Sequence, residues 1–190
     1  IRVIGSNISL DRFYSNIDVT SITTDLIKIS NPDLKEKTIF IWPEGIFPGV
    51  YQEELIGYSS IFDKNFSENH LLIIGTSTKI ENEGTKDFFN SFTIYDDKLN
   101  IIDSYNKINL VPFGEFLPFE KILKKIGLRS LTNNYQSFSK GEKREIIKID
   151  KKDFFIKILP LICYEIIYSG KIFNNNNFDL IVNISEDGWF

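Results

Sequence analysis

The sequence has no methionine and no alanine, one cysteine and one histidine among its 190 residues. A lone cysteine excludes an intrachain disulfide, and a lone histidine excludes a His-rich metal site. Long apolar runs are missing as well. The most apolar stretch, residues 154–163, is interrupted by Lys157 and falls well short of the roughly 20 residues that a membrane-spanning helix needs. There is no cationic surplus: 22 Lys and Arg stand against 26 Asp and Glu, a net charge of −4. Binding to a phosphate backbone requires the opposite balance, so nucleic acid is not an expected partner. The absence of methionine and the start at Ile1 lead us to expect a piece of a longer protein.

What remains describes a globular chain. Hydrophobic residues make up 42% and charged residues 25%, which suits one folded domain and argues against disorder. Residues 2–8 read as a first strand and 18–30 as a helix ended by Asn31-Pro32, because the residue before a proline avoids helical geometry. Residues 38–42 form a second strand that stops at Pro43, and 51–62 read as a helix with Leu55, Tyr58, Ser59 and Phe62 on one face. Residues 71–78 are a third strand, and 88–95 with 100–107 form a hairpin around Asp96-Asp97-Lys98-Leu99. Pro118 opens a short helix stopped by Gly127, followed by a polar loop over 133–141. Residues 145–149, 154–162 and 180–184 are three more strands, with a short helix after the second. Alternation of this kind, with several strands apolar throughout, indicates an α/β protein whose sheets are covered by helices.

In α/β sheets, reactive groups gather just beyond the carboxyl ends of strands. Glu44, Lys107 and Cys163 each follow a strand in this way. The three types divide one reaction among them. A thiol is a weak nucleophile at neutral pH until a base helps it. A buried glutamate can take that proton and return it to a leaving group, while an ammonium stabilises the oxyanion that forms. His70, just ahead of the third strand, reads as a solvated residue with no part in this chemistry.

The surrounding residues sharpen the pattern. They are Ile41-Trp42-Pro43-Glu44, Tyr105-Asn106-Lys107 running through Val111-Pro112-Phe113-Gly114-Glu115-Phe116-Leu117-Pro118, Leu161-Ile162-Cys163-Tyr164-Glu165, and Asn183-Ile184-Ser185-Glu186-Asp187-Gly188-Trp189-Phe190. Glu, Lys and Cys in this order resemble the catalytic set of the nitrilase, or carbon–nitrogen hydrolase, superfamily. The V-P-F-G-E-F-L-P stretch and the last segment resemble the apolipoprotein N-acyltransferase branch of it. The sequence departs from that branch at Asn109, where a basic residue is usual, and at Phe13, Lys140 and Glu186.

The resemblance implies an α-β-β-α sandwich spanning residues 1–190, with further strands after Phe190 and membrane helices on either side. It implies Glu44 as general base, Lys107 as oxyanion stabiliser and Cys163 as nucleophile, with Glu115, Tyr164 and Glu165 in support; the Tyr164 N–H would join the oxyanion hole. The implied reaction moves an acyl chain from a membrane phospholipid, through a Cys163 thioester, to the α-amine of a diacylglyceryl-cysteine on an apolipoprotein. Residues 112–118 and 47–51 would form an apolar lid. The enzyme would need no metal or organic cofactor and would work on the periplasmic face of the bacterial inner membrane. A soluble carbon–nitrogen hydrolase using the same three residues is the alternative, and a non-catalytic lipid- or lipoprotein-binding module is a third reading.

Overall fold

The computed structural model describes residues 1–6, 8, 18–82, 84–119, 137–151, 154–168 and 177–186. Its first sheet has the order β1-β2-β3-β4-β5, formed by Arg2–Val3, Thr38–Ile41, His70–Asn82, Thr85–Tyr95 and Ile101–Asn106. The first three strands run parallel, and β4 is antiparallel to both of its neighbours. The second sheet has the order β6-β7-β8, formed by Ile147–Lys151, Phe154–Ile162 and Leu180–Ile184, with β7 antiparallel to β6 and parallel to β8.

Side-chain alternation divides the core into layers. From β2 and β3, Phe40, Leu72 and Ile74 face a helical layer that also holds Trp42, Leu26, Leu55 and Phe62. Ile39, Ile41, Leu71 and Ile73 face the other way and meet Ile147, Ile149, Ile158, Ile162, Val182 and Ile184 of the second sheet. That two-sided burial is why β2 is buried throughout and carries Ile39, Phe40 and Ile41 in succession. Helix α1 (Val19–Ser30) is capped by Asp18, whose Oδ1 accepts from the Thr20 and Ser21 N–H groups at 3.1 and 3.2 Å. It ends at Asn31, left-handed at φ 43°, with Ser30 accepting from the Trp42 indole N–H at 3.0 Å. The fold is nitrilase-like α/β, with its helix–sheet–sheet layers among the described residues. The expected helix after Pro118 lies outside them from residue 120 onward, as does Phe13.

Four local expectations change. The first strand keeps only Arg2–Val3. The segment over 51–62 is a 3₁₀ turn, Glu54–Tyr58, running into one helical turn, α2 (Ser59–Phe62). Strand β3 extends four residues beyond Thr78, because it pairs with β4 up to Asn82↔Thr85. This polar extension is held by Lys79 and Lys86 on Glu81 and by the stacking of Phe88 on Tyr51, none of which alternation reveals. His70 is buried, 1% exposed, and packs edge-on against Phe40 and Phe66. Its Nδ1 accepts from the Ser67 N–H, which leaves Nε2 to donate to the Asp33 carbonyl at 2.9 Å.

The β4–β5 turn joins the two sheets at the end of the sandwich opposite the strand ends that carry Glu44, Lys107 and Cys163. Asp96 Oδ1 accepts from the Lys98 and Asn100 N–H groups at 2.9 Å each, and Oδ2 meets Lys151 of β6 at 2.6 Å. Burial works to raise the Asp96 carboxyl, but the Lys151 ammonium and the Asn100 and Lys98 donors outweigh it, and the net shift is downward. Replacing Asp96 with Ala should cost about 2 kcal/mol of stability at neutral pH. Because the folded carboxyl is depressed, that contribution exists above the unfolded aspartate range and disappears as pH falls through it. Thermal melts of both proteins at neutral and strongly acidic pH should therefore converge at the acidic end.

Candidate active site

Four strands end on the same side of the sandwich, and their first loop residues converge. Glu44 follows β2 through Pro43 and crosses over Gly75 of β3. A Cβ at Gly75 would collide with the Glu44 Cα and lie 2.7 Å from the Pro43 carbonyl oxygen, so glycine is what lets the two backbones touch. Lys107 follows β5, with its N–H donating to the Asn90 carbonyl at 2.9 Å and its own carbonyl accepting from the Gly141 N–H at 2.9 Å. Cys163 follows β7 and Ser185 follows β8.

The Lys107 side chain is 1% exposed. Its Nζ lies 3.0 Å from both Glu115 carboxylate oxygens and 3.6 Å from Glu44 Oε1. Asn90 Nδ2 joins the same cluster, donating to Glu44 Oε1 at 2.6 Å and to Glu115 Oε1 at 2.7 Å. Glu44 Oε2 also accepts from the Glu186 N–H at 3.2 Å, and the Cys163 thiol is near enough for the Glu44 charge to act on it. Glu115 is aimed inward by its own loop, where Val111 donates its N–H to Oε2 at 2.9 Å and takes the Glu115 N–H on its carbonyl. Within that loop Phe113 is left-handed at φ 64°.

Cys163 is itself left-handed, at φ 52°. A non-glycine residue held there carries strain that surrounding contacts must sustain. Those contacts come from Glu165, fully buried in the 3₁₀ turn Cys163–Ile167. Its carboxylate accepts from the Ile162 N–H at 3.1 Å on the nucleophile side, and from the Ile108 and Asn109 N–H groups at 3.0 Å each beside Lys107. The Tyr105 hydroxyl donates to it at 2.8 Å, and Arg144 Nη2 pairs with it at 2.8 Å. Glu165 therefore ties the Lys107 strand end to the Cys163 turn. Ser185 and the Tyr164 N–H lie near enough to the thiol to ease its ionisation.

The electrostatics follow from this packing. Burial pushes the Glu44 carboxyl up, against the pull of Lys107 and Asn90. Burial also raises the Cys163 thiol, and the Glu44 charge adds to that rise. For Lys107, burial alone would favour loss of the proton, but Glu44 and Glu115 outweigh it and hold the ammonium above its usual range. Packing thus disfavours the thiolate, raises the basicity of Glu44 and keeps the Lys107 ammonium charged. Among the described residues no group of three or more His, Cys, Asp or Glu is arranged to hold a metal ion.

The structure brings together Glu44, Lys107, Cys163 and Glu115, and places Glu165 beneath them. Tyr164 contributes its backbone. Sequence reasoning missed Asn90, Ser185, Tyr105, Arg144 and Gly75. For Asn90 a signal existed: Asn90-Ser91 interrupts an otherwise apolar stretch of β4, and both residues are buried. Asn109, where a basic side chain was usual, uses its backbone N–H on Glu165. The motif residues 187–190 lie outside the described residues. Of the expected lid segment 47–51, Phe47 belongs to the core, 2% exposed and packed on Trp42 at 6.4 Å, while the four residues after it are partly or fully exposed.

A thiol, a carboxylate and an ammonium at three strand ends of this sandwich define the cysteine-dependent carbon–nitrogen hydrolases. The chain belongs to the carbon–nitrogen hydrolase family, whose pattern it matches over residues 39–190. It is similar to apolipoprotein N-acyltransferases from Bradyrhizobium diazoefficiens, 29% identical across 100% of this chain and 37% of that protein, and from Rhizobium rhizogenes, 31% identical across 82% of this chain and 29% of that protein. It thus spans about a third of the length of these curated relatives. A CN-hydrolase superfamily protein from Xanthomonas campestris, solved with an arsenic adduct in its active site, shares the fold at a TM-score of 0.51 and 15% identity, covering 87% of this chain and 57% of that one.

The Gly75 contact gives a direct check on the geometry. Gly75→Ala should lower stability by about 2 kcal/mol, since backbone cannot move aside as a side-chain tip can. It should also slow turnover by about a hundredfold per folded molecule, because a displacement of about 1 Å at Glu44 is enough for that. Melting curves and turnover measured on the same preparation separate the two effects.

Proposed function

We propose that the chain is the catalytic domain of an apolipoprotein N-acyltransferase, acting by a Cys163 thioester. The observation that carries this reading is that Glu44 stands between the Cys163 thiol, whose ionisation its charge opposes, and the buried Lys107 ammonium, 3.6 Å from its Oε1. In the first half-reaction Cys163 Sγ attacks the carbonyl carbon of a phospholipid acyl ester while its proton passes to Glu44. Lys107 Nζ and the Tyr164 N–H stabilise the oxyanion. Collapse breaks the ester C–O bond, and the proton held by Glu44 goes to the departing lysophospholipid oxygen. In the second half-reaction the α-amine of a diacylglyceryl-cysteine attacks the thioester carbon, Glu44 takes the amine proton, and the thiol is regenerated as the amide forms. Glu115 and Glu165 hold the lysine and the cysteine turn in place.

Two further features support a lipid substrate. The identified relatives are named apolipoprotein N-acyltransferases. Phe113 and Phe119, on the loop that carries Glu115, are 72% and 76% exposed, an apolar surface next to the site. Among the described residues no helix is long and apolar enough to cross a membrane. Attachment to the periplasmic face of the inner membrane would come from parts of a longer protein outside residues 1–190.

The test is mass spectrometry of the full-length protein in detergent after incubation with phospholipid. An acyl adduct on the Cys163 peptide is expected, released by hydroxylamine, matched by free lysophospholipid and missing in Cys163→Ser. A folded protein that forms no adduct and turns over small amides would overturn the acyltransferase reading in favour of a soluble hydrolase. A second outcome concerns pH. Glu44 works as its carboxylate, and burial holds its carboxyl above the ordinary glutamate range. The rate of adduct formation should therefore fall as pH drops, along a limb displaced above the ordinary glutamate range. Glu44→Gln should abolish that limb together with at least about 99% of the rate.

A further inference from the structure

Arg144 has no place in the chemistry above, yet its guanidinium lies directly under it. The side chain is 7% exposed, although the residue comes from the loop leading into β6. Nη2 pairs with Glu165 Oε1 at 2.8 Å and donates to the Tyr105 hydroxyl at 3.0 Å, and Cζ sits 5.4 Å from the centre of the Tyr105 ring. Its Nε is buried without an acceptor among the described residues. Burying a guanidinium with one N–H unmet is costly, and the contacts that hold it are with Glu165 and Tyr105.

Glu165 bonds the backbone of both halves of the site. One carboxylate accepts from Ile162, next to the nucleophile, and from Ile108 and Asn109, next to the lysine. Those backbone donors, with Tyr105, surround an anion that has no solvent contact. Arg144 supplies its opposite charge, and the planar fork stacked on Tyr105 sets the angle at which the carboxylate faces its donors. Lysine would bring the charge without the fork.

We propose that Arg144 is a positioning residue, which locks the Glu165 carboxylate and through it sets the distance between Lys107 and the Cys163 turn. The proposal rests on the reading of Cys163 as the acylated nucleophile. Loss of the guanidinium leaves Glu165 buried without its counter-charge, so the carboxylate turns or draws in water, and its backbone donors shift with it. The cysteine, held at positive φ only by its surroundings, then relaxes away from the lysine. Substrate contacts stay intact, so the loss falls on the chemical step and not on binding.

The experiment is the single-turnover rate of Cys163 acylation by phospholipid in the full-length protein in detergent, expressed per folded molecule from a parallel thermal melt. Arg144→Ala should acylate about a hundredfold more slowly, with the phospholipid concentration at half-maximal rate within about twofold of the unaltered protein. Methylguanidinium at tens of millimolar, filling the vacated cavity, should restore at least about tenfold of that loss. Arg144→Lys should fall between the two. The proposal is overturned if Arg144→Ala acylates at the unaltered rate per folded molecule, if methylguanidinium restores nothing, or if the loss appears as weakened half-saturation alone. Should Arg144→Ala not fold, Arg144→Lys decides: a drop of about tenfold at unchanged half-saturation supports the proposal, and an unaltered rate overturns it. Cys163→Ser is run alongside. An adduct that persists there would sink the thioester reading itself, and this outcome is distinct from an Arg144 series with no effect.

Discussion

A lysine ammonium with 1% of its side chain exposed is tolerable only if its charge is answered at close range, since removing an ion from water costs several kcal/mol. Glu115 and Glu44 answer it, and Asn90 bridges the two carboxylates so that they sit side by side over one cation. Everything nearby is shaped by that requirement. The β2 end must approach β3 closely enough that only glycine fits at position 75. The loop after β5 must turn back on itself so that Glu115 reaches the lysine eight residues before it. Burial is why Glu44 is a stronger base than a surface glutamate; Glu115 adds to that rise, while Lys107 and Asn90 work against it.

The second constraint is the cysteine turn. A parallel strand delivers its last residue to the sheet's end, but the direction in which the next side chain points depends on the turn that follows. Positive φ at Cys163 aims the thiol at Glu44 and not along the strand. Such a conformation persists only where neighbours over-determine it. Glu165, two residues on, supplies this by accepting from the N–H just before the cysteine while it grips the chain beside Lys107. The Cys163 turn and the chain beside Lys107 are thus fixed to a common anion. Their separation is a property of one buried carboxylate and of the arginine that neutralises it.

These two constraints bear directly on the proposed acyl transfer. The thiolate is disfavoured at rest, which protects the thiol from adventitious reaction, and the proton acceptor is already near it. The ammonium needs no reorganisation when an oxyanion forms. Exposed phenylalanines on the Glu115 loop put apolar surface beside a polar, charged interior, a contrast suited to a substrate with a hydrocarbon chain and an ester.

Much of this was legible in the residues alone. Strand positions came from apolar runs, and β7 and β8 have the bounds that their patterns indicate. Helix α1 follows its Asp18 cap and its Asn31-Pro32 stop. Glu44, Lys107 and Cys163 stood out because strand-end placement is a local property, set by where an apolar run stops. What the sequence could not show is which side chains meet across layers. Asn90 reaches Glu44 over 46 residues, Glu165 reaches Ile108 over 57, and Glu186 reaches Glu44 over 142. Those encounters depend on strand register and on how the two sheets stack, and neither is written in any short window of sequence. His70 shows the same limit, since its environment is made by Phe66, Phe40 and a carbonyl 37 residues away. By itself the sequence determined the elements and the reactive groups at their ends; the tertiary structure alone decided the buried partners, because a charge or a strained turn is sustained by contacts that exist only once the layers have closed.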